Sequence, residues 1–167
     1  LSSVMLALVA VGAEAQSNVS LYGVVDGGLE YTNKAAPTAA GASGDNAFRV
    51  TSGNQSGSRW GMRGVEDLGG GLQGIFVLES GYNLDVGTSA QGGRLFGRAA
   101  YVGLRSQYGA LTVGRHTTPF FDFGGQFDPM AIATRYSIVS IAPEYASRAD
   151  NSAKYIGTFG GLTVSGL

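Results

Sequence analysis

The sequence predicts an all-β protein whose strands form an antiparallel transmembrane β-barrel. Three observations carry that prediction. Segments of period-two hydropathy recur along the chain. The connections between them alternate long and short. The composition is rich in Gly and poor in charge, with 28 Gly, 14% charged residues and no Cys in 167 residues. A strand points successive side chains to opposite faces, so period two marks a sheet with unlike faces. Antiparallel neighbours joined by alternating connections place every long connection at the same rim. A wall with lipid on one face and water on the other has no large dry core to fill, and low charge follows.

Residues 1–15 read as a secretory signal, with Val4–Ala13 uncharged and Ala13-Glu14-Ala15 as a small-residue cleavage pattern. Cleavage there leaves residues 16–167 with equal numbers of acidic and basic side chains. The uncharged run is far short of the ~20 residues of a membrane helix. A buried N-terminal helix is the alternative reading.

The first strand is expected over Asn18–Tyr31. Val19, Leu21, Val25, Leu29 and Tyr31 share one face, and Ser20, Tyr22, Asp26 and Glu30 the other. That is long against the ~5–6 residues of a soluble strand. It suits a tilted crossing strand of ~9–11 residues with overhang. Ser58–Glu66 follows, with Trp60 and Met62 opposite Arg59 and Arg63. In Leu72–Asp85, Phe76, Leu78 and Tyr82 alternate with Gln73, Glu79 and Asn83, and Ile75 and Val77 interrupt the polar face. Gly93–Arg105 is expected as a strand with Arg94 and Arg98 on one face. In Ala110–Thr118, Leu111 and Val113 have the parity of Arg115, and Gly114 is read as marking a bulge. Asn151–Phe159 sets Ala153, Tyr155 and Phe159 against Ser152, Lys154 and Thr158, and Leu162–Ser165 continues in phase. Short turns fall at 66–71, 106–109 and 160–161, with Gly where φ must be positive. Long connections fall at 32–57, 86–92 and 119–148. A soluble secreted β-sandwich also alternates and is the competing fold.

Composition closes other routes. The Gly residues lack a three-residue period, which excludes collagen, and 44% hydrophobic residues argue against disorder. Without Cys and with only His116, neither a metal site nor a thiol nucleophile is expected. No cofactor or enzymatic activity is expected. A formal charge of −1 gives no footprint for nucleic acid.

Cationic side chains on the non-lipid face are the chemistry that remains. A charge facing the bilayer midplane costs ~2–4 kcal/mol, so Arg59, Arg63, Arg94, Arg98, Arg115 and Lys154 are expected to point inward. Each could instead hydrogen-bond a turn or a loop carbonyl. The long connection 119–147 carries Asp122, Asp128 and Glu144. Set against the basic wall, these acids would create a transverse field that sorts ions and orients dipolar solutes. Asp128-Pro129 could equally just start a turn.

In order, the stretches Ser20–Leu29, Ser58–Leu72, Phe76–Tyr82, Arg94–Leu104 and Gly109–Arg115, with Arg148 and Asn151–Tyr155, resemble the Gram-negative general porins, especially the betaproteobacterial type. The resemblance implies a homotrimer of sixteen-stranded barrels in outer-membrane lipid, passing small hydrophilic solutes and ions by diffusion. It implies that residues 119–147 fold inward as the constriction loop. About seven strands are expected here against sixteen, so the chain is read as the N-terminal part of such a barrel. The alternatives are a surface-exposed structural or adhesive outer-membrane barrel without an open pore, and an outer-membrane lipase-type barrel in which His116 would have to serve.

Overall fold

The computed structural model describes residues 18–33, 44, 46–133, 137, 142 and 147–167. The expected leader, residues 1–15, lies outside them. In chain order the elements are β1 (Asn18–Val24), β2 (Gly27–Thr32), β3 (Ala47–Ser52), β4 (Arg59–Gly69), β5 (Leu72–Asn83), β6 (Thr88–Ser89), α1 (Ala90–Gly93), β7 (Ala99–Ser106), β8 (Gly109–Thr117), α2 (Pro119–Phe127), β9 (Arg148–Phe159) and β10 (Leu162–Gly166).

Seven of these make one antiparallel meander in the order β1-β4-β5-β7-β8-β9-β10, with β1 and β10 at its open ends. A sandwich would need two stacked sheets, and this wall is a single one. The turns β4–β5, β7–β8 and β9–β10 are tight and share one rim. Gly69, Gly70 and Gly71 have φ of +84°, +62° and +80°, a left-handed run that side-chain-bearing residues resist.

The two faces differ as period two requires. Val19, Leu21, Trp60, Val102, Leu104, Leu111 and Val113 are exposed on the outer face. The cavity side carries Tyr22, Glu79, Tyr101, Thr112, His116 and Lys154. Among the described residues the buried hydrophobics are only Ile75 and Ala133. An apolar face this wide aggregates in water and is satisfied in lipid.

The structure departs from the sequence reading in four places. First, the strand expected over Asn18–Tyr31 breaks at Val25-Asp26 into β1 and β2. Val24 pairs with Arg59 while Gly27 pairs with Ser52, so a two-residue step faces the six residues 53–58. Asp26 knots the break: its carboxylate accepts the N–H groups of Ser56 (2.7 Å), Gln55 (2.9 Å) and Asn54 (3.0 Å). Its own N–H donates to Ser58 Oγ at 3.0 Å. Second, the connection 32–57 contains β3, which makes a hairpin with β2. Third, the strand expected from Gly93 starts at Ala99. Left-handed Gln91, Gly92 and Gly93 break the extended path before it, and the Arg98 N–H is the first to return to β5, at Glu79 O (3.1 Å). Fourth, the irregularity at Gly114 is present, but its extra residue lies on the partner. Two steps from Gly114 to His116 face three from Ser152 to Ala149, with Asn151 at φ +51°.

Asp26→Ala removes the acceptor that three amides share. We expect amides 54–56 to lose protection from hydrogen exchange at constant pH in that variant, as hydrogen-exchange mass spectrometry would read.

Candidate functional site

The wall curves around a cavity of about 1040 Å³. Alternation on β4 brings Arg59 and Arg63 to it, and the same rule on β5 brings Glu79. The register sets Glu79 opposite Gly61, between the two arginines. Gly61 leaves room there: a Cβ at that position would lie 3.0 Å from the Tyr22 ring.

Glu79 is the hub. Arg98 Nε donates to its Oε1 at 2.6 Å, Tyr22 Oη to its Oε2 at 2.9 Å, and Arg59 Nε lies 3.9 Å away. The Arg63 guanidinium sits 5.4 Å over the Tyr22 ring. From β9, Arg148 Nε donates to Arg98 O at 3.1 Å, and its guanidinium lies 5.5 Å from the centroid of Phe121 on α2.

A second cluster fastens α2 to the wall. Thr118 caps the helix through Phe121 N–H, and Pro119 follows in the first turn. Asp122 on that turn pairs with Lys154 of β9 and accepts from Thr117 Oγ1 at 2.7 Å. Lys154 also donates to Thr117 O at 2.9 Å. Beneath them His116 is buried, stacked 4.9 Å from Tyr101, with Nδ1 2.8 Å from Ser152 Oγ.

Four of the six cations expected to face inward line the cavity: Arg59, Arg63, Arg98 and Lys154. Arg94 and Arg115 do not. Both bind Asp150, Arg94 at 2.7 Å, and Arg115 also donates to Gly97 O. Because the extra residue of the irregularity lies on β9, the parity of β8 is unbroken. Arg115, opposite Ala100, keeps the backbone parity of Leu111 and Val113, and its guanidinium is held at Gly97 O and Asp150 rather than in the cavity. Of the acids, Asp122 reaches Lys154 rather than the arginines. Asp128 turns on its own segment, accepting Met130 N–H and Ile132 N–H. Glu144 lies outside the described residues. Sequence reasoning missed Glu79 and Arg148 as site residues, and Arg105 as a third addition to the lining. Parity already put Glu79 on the polar face, and only the register could set it beside Arg59 and Arg98.

Among the described residues the cavity is lined by six cationic side chains and two carboxylates. A single antiparallel wall, apolar outside and polar within, is the architecture of an outer-membrane β-barrel. The chain belongs to the Gram-negative porins: the model of that family matches residues 2–166. It is 45% identical over 138 residues to an outer membrane porin protein of Bordetella pertussis, covering 77% of this chain and 36% of that one. It is 38% identical to outer membrane porin protein 32 of Delftia acidovorans, over 71% of this chain and 32% of that one. An anion-selective porin from Comamonas acidovorans superposes with a TM-score of 0.74 at 30% identity, over 89% of this chain and 45% of that one. The chain thus spans about a third of the length of the curated relatives it matches. These relatives place it in the outer membrane.

Glu79→Gln should keep the shape of the hub and remove the charge that Arg98 and Arg59 share. We expect a loss of about 1–3 kcal/mol in detergent-solubilised protein, read by thermal unfolding. Arg98→Ser added to Glu79→Gln should cost less than the two single losses together, because the second change removes a cation the first left unpaired.

Proposed function

We propose that this wall belongs to a water-filled channel for the passive diffusion of small hydrophilic solutes and ions, with a preference for anions. The excess of cations over carboxylates along the cavity carries the reading. A narrow passage with walls of low dielectric raises the local concentration of counter-ions, and here those are anions. The name of the Comamonas structure supports the same preference.

The cations divide the work. Arg98 is largely neutralised by Glu79 and braces the wall. Arg59, at 3.9 Å from the same carboxylate, keeps more of its field. Arg63 and Arg148 stand over aromatic rings, which orient a guanidinium without cancelling its charge. We further assign residues 119–147 as the constriction segment, with α2 fastened inward through Lys154–Asp122, and a homotrimer as the assembly. Of the acids on this segment, Asp122 is taken by Lys154 and Asp128 by its own turn, which supports reading the passage as predominantly basic. An adhesive barrel without an open pore is not favoured, because the family model and the relatives are porins.

Arg59→Ser with Arg98→Ser should leave Glu79 without its cations. In the full-length protein in a planar bilayer under a salt gradient, the reversal potential should shift toward cations. Arg94→Ser with Arg115→Ser should leave it nearly unchanged, since these lie outside the cavity on Asp150. An unchanged reversal potential in the first pair, with channels still open, would refute the assignment.

A further inference from the structure

Two side chains break the rule that the cavity face is polar. Ile75 and Val77 on β5 keep the parity of Gln73 and Glu79, and both line the cavity. The register enlarges them into a patch. Ile75 stands opposite Val65 on β4, and Val77 opposite Tyr101 on β7, which also lines the cavity. Gly103, on the other side of Ile75, adds no polar side chain. We propose that this patch is a track for the apolar body of amphipathic anions, so that the channel favours carboxylates with a ring-sized hydrocarbon body over polar anions of similar outline. The inference rests on the channel reading and names a solute class for it.

Charge placement is the first argument. Arg63 stands directly opposite Val77, on the side away from Tyr101. Arg105 stands opposite Gln73, the next inward position beyond Ile75 towards the rim of tight turns. The levels of the two cations are four positions apart along β5, about 14 Å at ~3.4 Å per residue. The apolar side chains lie between them. A carboxylate leaving Arg63 finds its next partner at Arg105, and its hydrocarbon body crosses Val77 and Ile75 on the way. Glu79, the carboxylate above Val77, is already held by Arg98 and Tyr22. A neutral apolar solute gains nothing from either cation, and a wholly polar anion gains nothing from the patch. The wall is complementary to molecules that carry both parts.

Cost is the second argument. Hydrocarbon on a wall that faces water gains nothing by itself, whereas side chains on that face tune which solutes pass. Tyr101 is stacked on the buried His116, which fixes its ring beside Val77. Each methylene withdrawn from water shifts a partition about fourfold. A ring lying with one face on the patch withdraws area worth one or two methylenes, and the expected preference is roughly three- to tenfold.

Bi-ionic reversal potentials test this in the full-length protein in a planar bilayer. Sodium chloride stands on one side, and sodium benzoate or its dihydroxy derivative on the other. Benzoate should be the more permeant of the two organic anions by roughly three- to tenfold. Ile75→Thr with Val77→Thr keeps two β-branched, strand-forming side chains and makes the patch polar. It should remove the benzoate advantage and leave the chloride conductance as it was. Equal permeabilities in the unaltered channel would overturn the proposal, as would a benzoate advantage that survives the double change. Val77→Cys should react with an anionic methanethiosulfonate added to open channels. Failure to react would show the patch covered inside the pore and would also overturn the proposal. Those three results leave the channel reading standing. Channels that prefer sodium to chloride, or no channels at all, would overturn that reading and this proposal with it.

Discussion

A backbone that crosses lipid finds no water for its amides and carbonyls, so each must be met by a neighbouring strand. The strand ladders, the two unlike faces and the placement of every charge follow from that requirement. Pairing without gaps imposes an extended chain, and an extended chain sends alternate side chains to opposite solvents. Irregularity survives where something else meets the freed groups. At Asp26 the carboxylate takes three amides of the 53–58 excursion, and Gly53 N–H returns to Asp26 O at 2.9 Å. At Asn151 the extra residue adopts a left-handed turn, and Ser152 Oγ meets Gly114 O at 3.0 Å.

A wall of like charges poses a second problem, because cations gathered on one face repel. Here one carboxylate on the same wall moderates them. Glu79 stands between β4 and β7, where it can meet Arg59, Arg98 and Tyr22 at once. Asp122 has the corresponding task for Lys154, and there it also ties a separate element to the wall. Of the remaining cations, Arg63 and Arg148 are held over aromatic rings, which fix position without cancelling the charge.

Parity made much of this legible from residues alone. Arg59, Arg63 and Lys154, expected inward because a charge facing lipid is costly, line the cavity. Arg94 shows the limit of that reasoning. The strand expected over Gly93–Arg105 begins only at Ala99, and Arg94 lies on the irregular stretch before it, where alternation has no meaning. Arg115 shows a second limit: its parity pointed outward, and a bulge was invoked to reverse it. A bulge reverses only the strand that carries the extra residue, and that strand is β9. The single strand expected over Asn18–Tyr31 shows a third. The break at Asp26 keeps the phase on both sides, so nothing in the hydropathy pattern records it.

By itself the sequence determined the fold class, the two faces, the tight glycine turns and the family, because each is a local property repeated along the chain. Only the tertiary structure decided which acid meets which base. Glu79 and Arg59 lie on two strands and Arg98 immediately before a third, and their meeting depends on register, as does the reach of Lys154 to Asp122. Register is a relation between strands, set by how their turns and irregularities count residues. One residue more in any of them would keep the alternation within each strand and dissolve the site.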